Sequence, residues 1–559
     1  MQQAHFDTSE ICRLHGVRYA VFSPGSRNAS LSISFASNPG IKSFTIIDER
    51  SAGFIALGIA QQTNSPIVLC CTSGTALLNY GPAIAEAFYQ EIPLIVLSAD
   101  RPPEWIDQWD GQTIRQQNAF SNFVKVFYQL PVDLSHADAK WEYQRKLSEG
   151  IIRSLHDIKG PVHLNIPFRE PFYPEKNQTL TFSNDLRQKE IFQNTLTISD
   201  QQKTELQEKW QSAQRKLIIL GQGWPTVTQI ECISGISNSQ NIPVLNDIIS
   251  NGHPIENIIQ HQDLFLQKKE TRKSLKPDLV LSFGKSLISK NLKLFLRHIK
   301  ADHWHVSPHL HLEDPFQSLT TLIKTSPEGF LRSLKNNKAQ DGSYLKKWKT
   351  IDQKSKEILN TLDEVAYSEF VAFKEVMRSL PEGTDLHLAN SMPVRYANFI
   401  QDLPSDSRVY ANRGSSGIDG TNGTAVGHAL TTDRKIVVLS GDLSFLYDRN
   451  AFFHSYDLSN LVFIVFNNFG GGIFDLIPGP SNTGNDMKEK HFTTPHQKDL
   501  KYAALDAGFA YSKANDLVTL DLALSGIFTS GSKPKLLEIQ TDPKTNKSVY
   551  LEIKKLINE

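Results

Sequence analysis

The segment KIVVLSGDLSFLYDRNAFFHSYDLSNLVFIVFNNFGGG, residues 435–472, contains two apolar runs that each end in polar side chains. Gly441 and Asp442 follow the run KIVVLS, and Asn467 and Asn468 follow the run LVFIVF. Continuous apolar runs of this length are typical of strands buried in a parallel sheet. The spacing between Asp442 and Asn468 leaves room for one crossover helix, at 444–457, between two neighbouring parallel strands.

Ligands of open α/β sheets bind beyond the carboxyl ends of the strands, so we expect Asp442 and Asn468 to converge if their strands are neighbours. Carboxylate, amide and carbonyl oxygens form the donor set that magnesium prefers, completed by phosphate oxygens and water. Glycines at 470–472 allow close backbone approach, and a helix starting near Ser444 would present N–H groups to phosphates. We therefore predict a magnesium–diphosphate site. The alternative is a helix cap at Asp442 and a turn at Asn467 and Asn468.

The rest of the chain alternates short apolar runs with helical patterns. Predicted strands include RYAVFSP (18–24), PIVLCC (66–71), KLIILGQG (216–223), PDLVLSFG (277–284) and KLLEIQT (535–541). Alternation at this spacing predicts an α/β fold with mainly parallel sheets flanked by helices. The 559 residues are enough for about three domains. We predict domains at 1–180, 181–360 and 361–559, of which the first and third are alike in texture.

Composition restricts the class of protein. Lys and Arg number 59, as do Asp and Glu, so the formal net charge is zero. This balance argues against a general nucleic-acid-binding protein, and an anionic substrate must be met by locally placed cations. Four cysteines without a C-x-x-C pair indicate reduced thiols. No apolar stretch approaches the ~18 residues of a membrane span, so we expect a cytoplasmic protein.

The Gly441-Asp442 pair followed by Asn467-Asn468 resembles the fingerprint of thiamine-diphosphate enzymes, although Leu443 stands where the wider superfamily usually has a second glycine. Such an enzyme needs a carboxylate that hydrogen-bonds the pyrimidine ring, so that the cofactor can carry out its own acid–base step. In IIDERSAG (46–53), Glu49 lies where a predicted strand ends and a helix begins. The alternative for Glu49 is an acid favoured in the first helical turn by the helix dipole.

Several further segments resemble one family, the 2-succinyl-5-enolpyruvyl-6-hydroxy-3-cyclohexene-1-carboxylate synthases of menaquinone biosynthesis. In chain order they are SPGSRN (23–28), DERSAG (48–53), TSGTALLNY (72–80), SADRPPEW (98–105), GQTIRQQ (111–117), NSMPVR (390–395), NRGSSGIDG (412–420), GDLSFLYDRN (441–450) and NNFGGGIF (467–474). The resemblance implies decarboxylation of 2-oxoglutarate and conjugate addition of the succinyl group to isochorismate. It also implies a homodimer at least, and a homotetramer as the expected assembly.

The resemblance further assigns roles to matching residues. The first domain would bind the cofactor's pyrimidine, and the third its diphosphate with Mg²⁺ or Mn²⁺ held by Asp442, Asn468 and the carbonyl of Gly470. The implied cofactor contacts are Glu49, Ser391, Ile418, Gly441, Asp442, Leu443, Ser444, Asn468, Gly470, Gly471, Ile473 and Phe474. The implied substrate contacts are Ser26, Arg27, Arg101, Gln112, Lys290, Ser391, Arg395 and Arg413. Guanidinium groups suit the two dicarboxylates because each can grip a carboxylate through two hydrogen bonds.

One position departs from the family, which often has an arginine after the lysine where Asn291 follows Lys290. A cationic contact to isochorismate is therefore missing or supplied from elsewhere. Two other functions are open: a related thiamine-diphosphate lyase acting on pyruvate-like 2-oxo acids, and a cofactor-binding regulator without activity. The histidines of DHWHVSPHLHL, at 303, 305, 309 and 311, allow a zinc site, against which we expect an edge strand with polar side chains.

Overall fold

A computed structural model describes residues 1–176, 178–192, 196–335, 337–362, 366–477 and 479–559. Within these residues the chain forms three parallel sheets flanked by helices, which confirms the predicted α/β class. Each sheet lies inside one of the predicted ranges 1–180, 181–360 and 361–559. The domain limits themselves stay a prediction, and position 360 lies in the last turn of the helix Ser343–Thr361.

The first sheet has the strand order β2-β1-β3-β4-β6-β5. Its strands are β1 (Tyr19–Phe22), β2 (Lys42–Thr45), β3 (Ile67–Cys71), β4 (Leu94–Asp100), β5 (Phe127–Gln129) and β6 (Val162–Pro167). The accompanying helices are α1 (Gln3–Phe6), α2 (Thr8–Leu14), α3 (Ala29–Ala36), α4 (Glu49–Thr63), α5 (Thr75–Asn79), α6 (Gly81–Gln90) and α7 (Ala137–Leu155), with a 3₁₀ turn at Pro103–Trp105.

The second sheet has the order β11-β10-β9-β7-β8. Its strands are β7 (Lys216–Leu220), β8 (Val244–Asn246), β9 (Leu279–Phe283), β10 (Asp302–Ser307) and β11 (Leu319–Lys324). Its helices are α8 (Asp200–Ser212), α9 (Val227–Gln240), α10 (Gln262–Phe265), α11 (Lys269–Ser274), α12 (Lys290–Ile299), α13 (Pro327–Leu334) and α14 (Ser343–Thr361), with a 3₁₀ turn at Ile248–Ser250.

The third sheet, in the order β13-β12-β14-β15-β17-β16, repeats the topology of the first. Its strands are β12 (Thr384–Leu388), β13 (Arg408–Tyr410), β14 (Lys435–Gly441), β15 (Leu461–Asn467), β16 (Ala510–Ala514) and β17 (Lys535–Gln540). Its helices are α15 (Glu369–Arg378), α16 (Met392–Ile400), α17 (Thr421–Ala429), α18 (Asp442–Tyr447), α19 (Asn485–Lys488), α20 (Lys501–Asp506), α21 (Leu517–Ile527) and α22 (Pro543–Asn558). Short 3₁₀ turns lie at Arg449–Phe452, Gly472–Asp475 and Pro480–Asn482, and a π-helical turn at Glu489–Thr493.

Helices α4 and α17 join the first sheet to the third. Asp48 caps α4 by accepting a hydrogen bond from the Ser51 N–H at 2.9 Å. A Cβ atom on Gly58 would lie 2.1 Å from the carbonyl oxygen of Thr424, and one on Gly427 would lie 2.2 Å from that of Ile55. Glycine on both helices therefore lets their backbones touch, and one continuous apolar core extends from the first sheet into the third.

Most predicted strands are present, with limits shifted by one to three residues. The structure adds β5, β6, β11 and β16, which the sequence analysis did not identify. The predicted edge strand at the histidine-rich segment is wrong, because β11 pairs along the outer side of β10. All four cysteines are buried thiols. Among the described residues, none of the helices combines the length and the apolar composition that a bilayer crossing requires.

Replacing Gly58 with alanine should force α4 and α17 apart, because the new methyl group would overlap the backbone of Thr424. We expect a loss of about 1–3 kcal/mol in the free energy of unfolding, measured as a lower urea midpoint. Gly235→Ala in α9 is the matched control, since nothing lies within 4 Å of its Cβ position. That control should stabilise the helix by about 0.5–1 kcal/mol. An unchanged midpoint for Gly58→Ala would contradict the contact.

Candidate active site

The residues assigned by resemblance lie on the carboxyl side of parallel strands in all three sheets. In the third sheet, Ser391, Arg413, Asp442 and Asn468 follow β12, β13, β14 and β15. In the first sheet, Ser26 and Arg27 follow β1, Glu49 follows β2, and Arg101 with Gln112 follows β4. Lys290 follows β9 in the middle sheet. This is the edge at which open α/β sheets bind ligands.

Asp442 lies at the centre of the third-sheet group. Strands β14 and β15 are neighbours, with Gly441 opposite Phe466, so the conditional prediction that Asp442 and Asn468 share one sheet edge is confirmed. The Asp442 side chain is buried, and its Oδ2 accepts hydrogen bonds from the Gly470 N–H at 3.0 Å and from His496 Nε2 at 3.1 Å. Its Oδ1 accepts from the Leu443 N–H at 2.7 Å. Three of the four acceptor sites of the carboxylate are thus used, and the one that remains, on Oδ1, is available to a ligand.

Asn468 presents an amide oxygen that has no partner in the part of the chain that the structure describes. Its Nδ2 donates to Glu369 Oε2 at 2.8 Å, whereas its Oδ1 is buried without a hydrogen bond among the described residues. A buried acceptor left unpaired costs about 1–3 kcal/mol, so the arrangement fits an oxygen kept for a cation. Burial raises the pKa of the Glu369 carboxyl to about 7; the Asp442 charge adds to this rise, and the Asn468 hydrogen bond opposes it.

The turns around Asp442 and Asn468 form a backbone cradle. A Cβ atom on Gly470, whose φ is +156°, would lie 2.7 Å from the Thr493 carbonyl oxygen, so only glycine fits this position. The Gly470 carbonyl accepts from the Gly472 N–H at 3.0 Å and keeps one lone pair. The Gly471 N–H donates to Thr493 at 2.7 Å, and Ser444 Oγ donates to the Ile418 carbonyl at 2.6 Å. The donor set therefore fits a hard divalent cation with a diphosphate.

The helix after β14 differs from the prediction. Helix α18 begins at Asp442 rather than near Ser444 and ends at Tyr447, followed by the 3₁₀ turn Arg449–Phe452. Three apolar side chains assigned to the cofactor lie outside this turn. Ile418 is 43% exposed, and Ile473 and Phe474 are half-buried on the turn Gly472–Asp475, with Phe474 packed on Phe492.

Two arginines stand side by side above the third sheet. Arg413 Nη1 donates to Asn390 Oδ1 at 2.8 Å, and Arg395 donates to the carbonyl of Ser391. Burial lowers the pKa of both guanidinium groups, and the charge of Arg395 lowers that of Arg413 further. Neither has a carboxylate partner within ion-pair distance among the described residues. The Asp263 charge acts on Arg395, and the Asp247 and Glu86 charges act on Arg413, only from beyond ion-pair distance. Two half-buried cations without a direct carboxylate partner suit an anionic ligand.

Arg27 and Arg101 line a second cavity, of about 510 Å³, in the first domain. Arg27 is 9% exposed, packs over the Phe172 ring, and donates from Nη1 to the Phe168 carbonyl at 3.0 Å. Arg101 lies 3.1 Å from Asp110 and donates to the Gly111 carbonyl at 2.7 Å, next to Gln112. Ser26 and Gln112 are exposed. Among the described residues, no hydrogen bond or ion pair joins this group to the third-domain group.

Glu49 is half-buried at the first turn of α4. Both neighbours in sequence contact the third domain of the same chain. Asp48 Oδ2 accepts from Asn450 Nδ2 at 2.8 Å, and Arg50 Nη2 donates to the Tyr447 carbonyl at 2.7 Å. The Glu49 carboxylate itself makes no hydrogen bond to the described residues. Its negative charge helps to raise the pKa of the buried Cys71 thiol, after burial and Cys70.

The helix that carries Asn291, where the family often has an arginine, also carries a second lysine, Lys293. Lys290 is exposed at the start of α12, and Asn291 donates from Nδ2 to the Asp263 carbonyl at 2.7 Å. One turn further, Lys293 is half-buried; burial lowers its ammonium pKa, and the Arg413 charge is among the smaller causes. The sequence analysis did not single out Lys293, although its spacing from Lys290 puts both on one helical face.

The histidine-rich segment lines a cavity of about 410 Å³ beyond the ends of β7 and β9, and Arg413 lines the same cavity. Ser282 Oγ lies 2.7 Å from His303 and 2.9 Å from His305, and His311 pairs with Glu91 at 3.0 Å. Across the residues that the structure describes, no group of three or more His, Cys, Asp or Glu side chains could hold a metal ion. The zinc alternative thus gains no support from the arrangement.

Comparisons with known proteins agree with this geometry. A family model described as the N-terminal TPP binding domain of thiamine pyrophosphate enzymes matches residues 7–122, and one for their middle domain matches 182–388. A Cytophaga hutchinsonii protein named 2-succinyl-5-enolpyruvyl-6-hydroxy-3-cyclohexene-1-carboxylate synthase is 42% identical, covering 100% of this chain and 99% of its own. Proteins of the same name from Flavobacterium johnsoniae and Porphyromonas gingivalis are 39% and 36% identical, covering 95% of this chain in each case and 95% and 93% of their own.

The three parallel sheets and the polar groups at their carboxyl ends, together with these matches, define a thiamine pyrophosphate enzyme. The full-length similarity is more specific. The chain belongs to the 2-succinyl-5-enolpyruvyl-6-hydroxy-3-cyclohexene-1-carboxylate synthase family.

Arg413 has no ion-pair partner among the described residues, so succinate, a simple dicarboxylate, can be used to test whether it binds an anion. A ligand at about 100 times its dissociation constant stabilises the folded state by about 2.7 kcal/mol, so succinate should raise the melting temperature of the wild type. Arg413→Gln should remove most of this increase. In the control, Arg434→Gln breaks the ion pair with Asp385 at 2.6 Å, so the melting temperature falls but the succinate increase remains. Equal succinate effects in the two variants would contradict an anion site at Arg413.

Proposed function

We propose that the protein catalyses the thiamine-diphosphate-dependent decarboxylation of 2-oxoglutarate and the conjugate addition of the succinyl group to isochorismate, in menaquinone biosynthesis. The observation that carries the proposal is the buried, unpaired Asn468 oxygen, together with two arginines that have no ion pair among the described residues, in a chain similar over its whole length to relatives of that name. A metal diphosphate would supply a partner for Asn468 Oδ1. Dicarboxylates would supply ion-pair partners for Arg395 and Arg413.

Asp442, Asn468 and the Gly470 carbonyl would hold Mg²⁺ or Mn²⁺, and Gly441, Leu443, Ser444 and Gly471 would line the diphosphate. Ile418, Ile473 and Phe474 would enclose the rings, and Ser391 would contact both cofactor and substrate. Thiamine diphosphate, when bound, supplies the electron sink that the loss of CO₂ from a 2-oxo acid requires. The apolar side chains would exclude water from the reacting atoms.

Glu49 would hold a proton at a pyrimidine nitrogen of the cofactor. Its carboxylate is half-buried and makes no hydrogen bond to the described residues of its own chain, so it is available to a ligand. Proton transfer by a positioned carboxylate contributes about 10²–10⁴-fold to a rate. We further propose that Glu49 and Asp442 serve one site from two subunits, which requires a dimer at least and fits a tetramer.

The arginines would bind the substrates. Both proposed substrates carry two carboxylates, and a guanidinium can hold one by two parallel hydrogen bonds. Arg395 and Arg413 would serve the third-domain side of the pocket, and Ser26, Arg27, Arg101 and Gln112 the first-domain side. Lys290 and Lys293 lie on α12, and Lys293 would supply the cation that Asn291 lacks.

Substrate choice tests the proposed function most directly. With thiamine diphosphate and Mg²⁺, we expect CO₂ release from 2-oxoglutarate to exceed that from pyruvate, because pyruvate leaves one set of arginines without a carboxylate. Adding isochorismate should then give the succinyl-cyclohexene product. A preference for pyruvate would favour a related lyase, and cofactor binding without CO₂ release would favour an inactive regulator.

Glu49→Gln should leave the fold intact and lower turnover about 10²- to 10⁴-fold, because the amide cannot exchange the proton. The control is Glu142→Gln, which replaces another half-buried carboxylate, on α7, and should retain wild-type turnover. Activity near that of the wild type in Glu49→Gln would exclude the proton-holding role.

Co-expression of Glu49→Gln and Asp442→Ala chains tests the shared site. Each variant alone should be inactive, but a mixed dimer keeps one site with both residues intact. Random pairing in a two-fold dimer should then give about a quarter of the wild-type activity. No recovery in isolated mixed dimers would contradict a site built from two subunits.

A further inference from the structure

Two adjacent amides at the end of β15 each donate to a buried carboxylate. Asn467 Nδ2 donates to Glu538 Oε1 at 2.7 Å, and Asn468 Nδ2 donates to Glu369 Oε2 at 2.8 Å. Glu538 is fully buried, and Glu369 is 4% exposed. Buried carboxylates are costly, so each needs a compensating set of hydrogen bonds.

The oxygens of the two amides differ in their partners. Asn467 Oδ1 accepts a hydrogen bond from the Phe469 N–H at 3.1 Å. Asn468 Oδ1 has no partner among the described residues, although it is buried. The two residues thus have the same local chemistry, and only Asn468 offers a free acceptor.

A carboxyl oxygen that carries no proton can only accept, in the carboxylate and in the neutral acid alike, and an amide donates only from its nitrogen. Glu369 therefore holds the NH₂ group of Asn468 on its own side and turns the amide oxygen to the opposite side. If Glu369 were apolar, either rotation of the amide would be available. The rotation that presents N–H donors to the cation would then no longer be opposed by a partner on the other side of the amide.

Glu369 is itself held in place by the end of the chain. Its backbone N–H donates to Asn546 Oδ1 at 2.7 Å, and Asn546 Nδ2 lies 3.4 Å from Glu369 Oε2. Asn546 Nδ2 also donates to Thr541 Oγ1 at 2.9 Å. The first turn of α15 is capped by Ser368, whose Oγ accepts from the Val371 N–H. A chain of hydrogen bonds from α22 through α15 thus reaches Asn468.

We propose that Glu369 is a positioning residue, which orients the Asn468 amide oxygen toward the divalent cation without binding that cation itself. The inference rests on the proposed function, in which Asn468 is a metal ligand. Loss of a partner that orients a metal ligand typically lowers metal affinity about 10- to 100-fold. The effect should appear in metal binding, before any catalytic step.

The test is Mn²⁺ binding in the presence of thiamine diphosphate, followed by electron paramagnetic resonance, together with the melting temperature. Glu369→Met keeps the side-chain length but lacks an acceptor, so the dissociation constant for Mn²⁺ should rise about 10- to 100-fold. Glu369→Gln keeps an acceptor oxygen and should bind Mn²⁺ close to the wild type. Glu538→Met is the matched control, because it removes the carboxylate beside Asn467. It should lower the melting temperature and leave Mn²⁺ binding unchanged.

The same substitution in an Asn468→Asp variant distinguishes a loss of amide orientation from a general disturbance of the metal site. Asn468→Asp presents an oxygen in either rotation, so adding Glu369→Met to it should change Mn²⁺ binding little. If Glu369→Met does not fold, Asn546→Ala loosens Glu369 and should weaken Mn²⁺ binding in the same direction. Wild-type Mn²⁺ binding in folded Glu369→Met would overturn the proposal, and so would wild-type binding in Asn546→Ala where that variant replaces it. The proposal is also overturned if Glu369→Met weakens Mn²⁺ binding equally in the wild-type and the Asn468→Asp backgrounds.

Failure of the proposed function gives a different result. If Asn468→Ala binds Mn²⁺ as the wild type does, Asn468 is not a ligand, and the metal site itself is wrong. If Asn468→Ala loses Mn²⁺ but folded Glu369→Met keeps it, the metal site stands and only the positioning role is wrong.

Discussion

The parallel pairing of β14 with β15 is the constraint on which the rest of the site depends. It sets Gly441 opposite Phe466, so that the residues after both strands emerge at one edge of the sheet. Asp442 then accepts the Gly470 N–H, and Asn468 lies beside it with a free oxygen. A slip of one residue in this register would send these side chains to opposite faces. Both strands are buried along nearly their whole length, so a slip would also displace the side chains that pack on both faces of the sheet.

The neutral formal charge of the chain has a structural meaning. A protein without a net field must attract dianions with individual cations, and burial sharpens the effect of each one. Arg27, Arg395 and Arg413 are all largely buried, and backbone or amide oxygens hold their guanidinium groups in position. Folding already removes water from these cations, at a cost in free energy, and a bound carboxylate would offset that cost by its opposite charge.

The sequence predicts the strands best where apolar runs are continuous, as in β3, β14 and β15. It does not predict β6 or β16, whose polar residues break the pattern. In β6, the buried His163 and Asn165 both contact Ser98 Oγ, at 2.7 Å each, and such pairing cannot be predicted from local composition. Asp442 and Asn468 can be located from the sequence because each directly follows a continuous apolar run, which marks the end of a strand. Glu369 and His496 contact these residues from 99 and 54 positions away, with no local signal of their own.

The repeated topology of the first and third sheets explains why a single chain holds two separate groups of site residues. Each sheet exposes its own carboxyl edge, and the α4–α17 contact joins the sheets through their helices rather than through these edges. Glu49 begins α4, yet its neighbours Asp48 and Arg50 take the contacts to the third domain of the same chain. The Glu49 carboxylate makes no hydrogen bond to the described residues, although the residues on both sides of it are held by the third domain. A ligand held at the third-domain edge of a second chain would use both groups, and two-fold symmetry would then complete two sites at once.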